Sequence, residues 1–205
     1  MKTYLDRSVA LLGQDKISSL KDKTILVVGI GGVGGTALEA LARSGFGKFI
    51  IIDSDKVDIT NLNRQILFTK RDVGKSKVKC AKKHLLKINS DLSVKTITAK
   101  IGEQKLEDLL LVKPDFVIDA IDLVEGKLHI YDFCLKNKIP FISSLGMGNR
   151  INPEDVYVTK LEKTENDPLA KKMRYEARQM RLDLKRIPVV VSKETLIMKS
   201  KKPNS

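Results

Sequence analysis

Thr24-Ile25-Leu26-Val27-Val28 is an apolar, largely β-branched run that passes directly into Gly29-Ile30-Gly31-Gly32-Val33-Gly34-Gly35. Five apolar residues without alternation read as a strand buried on both faces. The glycine stretch fits G-x-G-x-x-G, and residues 36–44 read as the helix that follows it. Strand, glycine turn and helix are the context this motif needs. Glycine lets the backbone approach a phosphate, and the helix N-terminus offers unpaired N–H groups and positive potential. The next strand, 49–52, ends on Asp53, at the spacing of a ribose-binding acid. The motif alone does not separate a dinucleotide from ATP.

Working outward, strand and helix keep alternating through the first 145 residues. Strands are expected at 94–98, 116–118 and 140–143. Helices are expected at 3–12, 76–88 with Ser76 as cap, 103–111 and 125–136. Short, continuously apolar strands predict an α/β, Rossmann-like, mostly parallel sheet with helices on both faces. Ligands of such sheets lie outside the carboxyl ends of the strands, so Gly29, Asp53, Asp119 and Asp122 should converge. Further strands are expected at 156–159 and 188–191. The division expected is a nucleotide-binding domain over 1–159, with its N-terminal helix, and a basic α/β extension over 160–205 that packs on it and ends in a frayed tail.

Composition narrows the class. Of 205 residues, 42% are hydrophobic and 31% charged, which excludes a disordered chain. No apolar run approaches the roughly 20 residues of a membrane span. The start has acids and no long apolar segment, so no secretory signal is expected and the protein is expected to be cytoplasmic. Two cysteines, Cys80 and Cys134, exclude a disulfide framework and a four-cysteine zinc site. Both fall on expected helices and read as small buried hydrophobes.

The formal net charge is +13, from 38 Lys+Arg against 25 Asp+Glu. Residues 160–205 hold 13 Lys+Arg against 6 Asp+Glu, a net +7, which leaves +6 for the rest. There Leu169, Met173, Met180 and Leu184 fall near helical spacing. They predict an amphipathic helix whose outer face carries Lys171, Lys172, Arg174, Arg178 and Arg181. Such a face is either plainly solvated or a phosphate-tracking surface for nucleic acid.

The segment after Asp53 is Ser54-Asp55-Lys56-Val57-Asp58-Ile59-Thr60-Asn61-Leu62-Asn63-Arg64-Gln65. A dehydrogenase would enter a crossover helix here. A long polar loop instead delivers Asn61 and Arg64 near the nucleotide, and the arginine offers a planar fork for phosphate oxygens. Gly74-Lys75-Ser76-Lys77 then places a lysine at a helix start, where it could neutralise a transferring phosphoryl group. Asp122 is placed to hold Mg²⁺, which needs few protein carboxylates beside phosphate oxygens. His84 and His129 lie on expected helices and read as surface or packing residues.

In this order, G-x-G-G-x-G, D-x-D-x-V-x-x-x-N-x-N-R-Q, G-K-S-K and D-A-I-D resemble the ubiquitin-activating-enzyme-like superfamily. That superfamily includes the bacterial adenylyltransferases of molybdopterin and thiamine sulfur-carrier activation. The resemblance implies adenylation: a carboxylate attacks the α-phosphate of ATP, giving an acyl-adenylate and pyrophosphate. It implies that Gly29, Gly31, Gly32, Gly34, Asp53 and Asp55 bind the nucleotide. Asn61, Arg64 and Lys77 would contact phosphates, and Asp122 would hold Mg²⁺. Arg7 aligns with an arginine that reaches into the partner's active site, which implies a homodimer.

The paired C-x-x-C motifs of the sulfur-carrier branch are absent. The stretches Asp119-Ala120-Ile121-Asp122, Gly146-Met147-Gly148-Asn149 and Asp167-Pro168-Leu169-Ala170 before a basic helix resemble the tRNA threonylcarbamoyladenosine dehydratase branch. That branch implies activation of the threonyl carboxylate of a modified adenosine in the tRNA anticodon arm, then cyclisation with release of AMP. A sulfur-relay protein is a possible further partner. The alternative is an adenylyltransferase for the C-terminus of a small ubiquitin-like sulfur carrier. Met147 departs from the branch's small residue in its loop, and the membrane association of longer members is not carried over.

Overall fold

Strands that are apolar on both faces need cover from both sides, and the computed structural model, which describes residues 2–101 and 113–195, supplies it. The elements run α1 (Asp6–Leu12), α2 (Gln14–Leu20), β1 (Thr24–Val28), α3 (Gly32–Arg43), β2 (Lys48–Ile52), α4 (Lys77–Ile88) and β3 (Ser93–Ile97). They continue with β4 (Phe116–Asp119), α5 (Val124–Asn137), β5 (Phe141–Ser144), β6 (Val156–Lys160), α6 (Pro168–Gln179) and β7 (Pro188–Ser192). The sheet order is β3-β2-β1-β4-β5-β7-β6. All neighbours are parallel except β6, which runs antiparallel to β7. The order reverses beside β1, where β4 takes the other flank, and this is where α/β sheets open a crevice.

β1 shows how the pattern divides the core. Ile25 and Val27 face α3 and α4 and pack with Leu38, Val78 and Leu85. Leu26 and Val28 face the other way and pack with Tyr131, Phe133, Met173 and Ala177 on the side of α5 and α6. Residues 161–192 are therefore structural: β7 inserts between β5 and β6, and α6 covers one face.

Several boundaries differ from those expected, each for a local reason. The helix expected at 3–12 starts only at Asp6 and ends, as expected, at Leu12, where Gly13 at φ +87° closes it; a second helix that was not expected, α2, follows and buries Ile17. α3 begins inside the glycine stretch, at Gly32. The loop after β2 holds two 3₁₀ turns, Ile59–Asn61 and Lys70–Asp72, each closed by a capping box. Ser76 precedes α4, but its side chain makes no cap bond. α6 ends at Gln179, leaving Met180 exposed and Arg181 in the left-handed region at φ +57°. Leu184 is buried in a separate 3₁₀ turn. The helix expected at 103–111 and the tail after 195 lie outside the described residues. Among the described residues no helix is long and apolar enough to cross a membrane.

Candidate active site

A cleft of about 780 Å³ opens at the carboxyl ends of β1, β2, β4 and β5. Its floor is the glycine turn. Gly29 sits at φ +87°, and a Cβ there would lie 2.7 Å from the Ala120 carbonyl oxygen. A Cβ on Gly34 would lie 1.9 Å from the Gly29 oxygen, so α3 can seat on the turn only without one. Asp53 pins this turn to the next loop: Oδ2 accepts the Ile30 N–H at 2.7 Å and Oδ1 the Asp55 N–H at 2.8 Å. Each carboxylate oxygen keeps a lone pair for a ribose hydroxyl.

The polar loop after β2 folds over the turn. Asn61 Oδ1 accepts the Asp58 N–H at 3.1 Å in the capping box, which leaves its amide N–H₂ for a ligand. Arg64 is exposed at the cleft, and its Nη1 is held by Thr60 O at 3.0 Å and Asn63 Oδ1 at 2.9 Å. One side of the fork is anchored and the other is presented. Lys77 is buried, with its Nζ 2.8 Å from Asp55 Oδ2. That hydrogen bond holds the Asp55 carboxyl below its ordinary value. Asp55 is largely exposed, so Lys77 is held by a partner that water or an entering anion can replace. Asp122 lines the cleft, is exposed, and has no hydrogen bond or ion pair among the described residues. It does not cap α5, whose N-cap is Leu123. A single unspent carboxylate at the cleft is a donor that Mg²⁺ takes when phosphate oxygens supply others, whereas no cluster of three metal-ligating side chains exists among the described residues.

The remaining expected residues divide. Arg7 lies on α1 and does not line the cleft of its own chain. Lys171, Lys172, Arg178 and Arg181 are exposed, with Arg181 beyond the end of α6. Arg174 has a different part: it is half-buried, and its Nη1 donates to Thr164 O at 2.7 Å and to Thr164 Oγ1. It ties α6 to the preceding turn and does not join the outer face. Cys80 and Cys134 lie outside the cleft. Burial pushes the Cys134 thiol up to about 12 and raises that of Cys80, so neither is a thiolate near neutral pH. His84 pairs with Glu39 at 3.1 Å, and neither histidine lines the cleft.

Two sets of site residues escaped the sequence reading. Beneath the cleft, fully buried Lys127 donates to Asp119 Oδ2 at 2.9 Å, Ser143 Oγ at 3.1 Å and Ser144 O at 2.7 Å. Ser143 also donates to Asp119 Oδ2 at 2.6 Å and shares a 2.7 Å contact with Tyr131 OH. Burial drives the Tyr131 phenol well above its ordinary value, so it stays neutral. Asp119 Oδ1 in turn accepts the Ile121 N–H at 3.3 Å, at the start of the segment that presents Asp122. The signal was a lysine inside an otherwise apolar helix face. The second set explains Asp167-Pro168-Leu169-Ala170. Asp167 Oδ1 caps α6 through the Ala170 N–H at 3.0 Å, and Oδ2 accepts the Gly146 N–H at 2.9 Å. Pro168 suits the first helical position, Leu169 lines the cleft, and Ala170 is fully buried.

The ThiF family profile matches residues 5–165. The chain is similar to the tRNA threonylcarbamoyladenosine dehydratase of Bacillus subtilis, with 38% identity over 97% of this chain and 78% of that protein. Similarity to the Escherichia coli protein of the same name is 40% over 80% of this chain and 61% of that one. The crystal structure of E. coli tRNA N6-threonylcarbamoyladenosine dehydratase with ATP superposes at a TM-score of 0.89 and 35% identity. It covers 95% of this chain and 82% of that one.

Proposed function

The chain belongs to the ThiF family, and from that premise we propose that it is an ATP-dependent tRNA threonylcarbamoyladenosine dehydratase. One observation carries the reading. The cleft gathers Asp53, Arg64, Lys77 and Asp122 around a phosphate-binding glycine turn, and Asp167 joins that cleft to α6. Those groups suit displacement at phosphorus, which needs alignment and charge neutralisation more than a protein nucleophile.

The ATP phosphates lie over the glycine turn and the α3 N-terminus, with the ribose at Asp53. An oxygen of the threonyl carboxylate attacks the α-phosphorus, and pyrophosphate leaves. Arg64 and Lys77 carry the charge that builds on the phosphate oxygens, with Lys77 turning from Asp55 to do so. Asp122 is the residue that would hold Mg²⁺, which when bound adds charge neutralisation. The carbamoyl oxygen of the same side chain then closes on the activated carbonyl carbon. AMP leaves with the former carboxylate oxygen and the urea N–H gives up its proton, so that relative to the free acid the net change is loss of one water. Arg7, which does not line the cleft of its own chain, serves the cleft of a second copy in a homodimer. Asn61 contributes its free amide N–H₂ to the phosphates.

The test is mass spectrometry of tRNA nucleosides after incubation with protein, ATP and Mg²⁺. The expected product is threonylcarbamoyladenosine lighter by one water, with equimolar AMP. Unchanged tRNA together with pyrophosphate exchange that depends on a ubiquitin-like carrier would assign the chain to sulfur-carrier adenylation instead.

A further inference from the structure

Counting along the chain places a second basic region that the C-terminal excess conceals. Residues 70–88 hold 8 Lys+Arg against one acid, a net +7, equal to that of residues 160–205 in fewer than half as many positions. Lys77 alone among these cations turns inward to the cleft. Lys70, Arg71, Lys75, Lys79, Lys82, Lys83 and Lys87 are all exposed. Asp72, the single acid, is committed to the Thr69 N–H and hydroxyl at 2.9 and 2.7 Å, with Lys75 3.9 Å away.

Helical geometry turns this composition into a stripe. α4 buries Val78, Ala81 and Leu85. Lys79, Lys82, Lys83 and Lys87 recur at spacings of three and four and so share the opposite face. The helix is about 18 Å long at its 12 residues. Its first residue, Lys77, lines the ATP cleft, so the stripe leads away from the cleft mouth. Like charges three and four apart cost a helix stability. A face serving only solubility would interleave acids, yet α4 has none, and Lys79, Lys82 and Lys87 form no ion pair among the described residues.

The chemistry of the stripe selects its partner. Lysines are hydrated point charges that follow a backbone, whereas forked arginines and stacked aromatics read bases. The stripe carries no aromatic residue, and its one large apolar residue, Leu86, packs against the core and is not presented to a bilayer. We propose that the α4 lysine face, headed by Lys70 and Arg71, is the principal docking surface for the phosphate backbone of the RNA substrate beside its reacting nucleotide. This deepens the tRNA reading above and rests on it. α6, which lies across the sheet with a net +3 over its helix, is secondary.

The test is tRNA binding by the full chain across a range of salt, with Lys79→Glu, Lys82→Glu and Lys83→Glu combined. ATP binding serves as the folding control. Affinity should fall about tenfold or more near physiological salt, and the slope of log K against log salt should shrink by about 2–3. Replacing the same three lysines with alanine should lower both in the same direction by less. Wild-type affinity and slope in the reversed variant would overturn the docking surface alone. A wild-type protein that binds no tRNA would overturn it together with the tRNA reading. Tighter binding to phosphatidylserine vesicles than to tRNA, lost in the variant, would assign the stripe to a membrane and overturn it too.

Discussion

The cleft and the α4 face both carry cations, and they hold them in opposite ways. In the cleft each cation is fixed by a partner: Lys77 by Asp55 at 2.8 Å, and Arg64 by Thr60 O and Asn63. Lys127 below is fixed by Asp119 at 2.9 Å. On α4 the lysines after Lys77 are exposed and almost without acids. Paired charge holds a geometry and, where it is buried as at Lys77 and Lys127, is little affected by salt. Exposed, unpaired charge makes a field that salt screens within about 8–10 Å. On the function proposed, the +13 of this chain divides in two: a few cations in the cleft that would act at phosphorus, and a larger number outside it that would gather a polyanion.

Mutations sharpen this contrast in descending order. In the cleft, Arg64→Ala and Asp122→Ala should each cut AMP release from ATP and tRNA by about 10²–10³-fold, measured in single turnover. Their tRNA affinity and salt slope should stay at the wild-type level. A parallel loss of tRNA binding would merge the two regions into one. Lys127→Met leaves Asp119 buried and unpaired. It should cost about 3–5 kcal/mol of stability, seen as a drop of about 10 °C in Tm for a chain of this size. An unchanged Tm would make the buried network incidental. The smallest effect tests where one cleft ends. Arg7→Ala and Asp122→Ala, each inactive alone, should recover about a quarter of wild-type turnover when mixed and re-equilibrated, because half of the dimers then hold one intact site. No recovery would return Arg7 to its own chain or remove it from the reaction.

What the sequence made legible depended on how local the physics was. The glycine turn and β1 were readable because a strand, a positive φ at Gly29 and a helix start lie within twelve residues, and Asp53 because it stands at the end of the next apolar strand. Arg64, Lys77 and Asp122 came from motif spacing, and the cleft gathers all three. Lys127 was invisible as a site residue because its partners Asp119 and Ser143 lie 8 and 16 positions away and meet only across the packed sheet. Arg174 was misplaced because helical phase alone does not show that Thr164, ten residues earlier, curls back beneath it. The α4 stripe was overlooked for a different reason: averaging over 159 residues cancels its +7 against acids elsewhere. Charge has to be counted over the length of one element before it describes a surface.

The central claim is that this cleft uses ATP to remove water from a tRNA nucleoside. Its most direct measurement is nucleoside mass after a single incubation of threonylcarbamoyladenosine-containing tRNA with ATP, Mg²⁺ and either wild-type or Asp122→Ala protein. Loss of one water with wild type and none with the variant is the predicted result. Unchanged nucleoside mass with wild-type protein that binds both ATP and tRNA would contradict it.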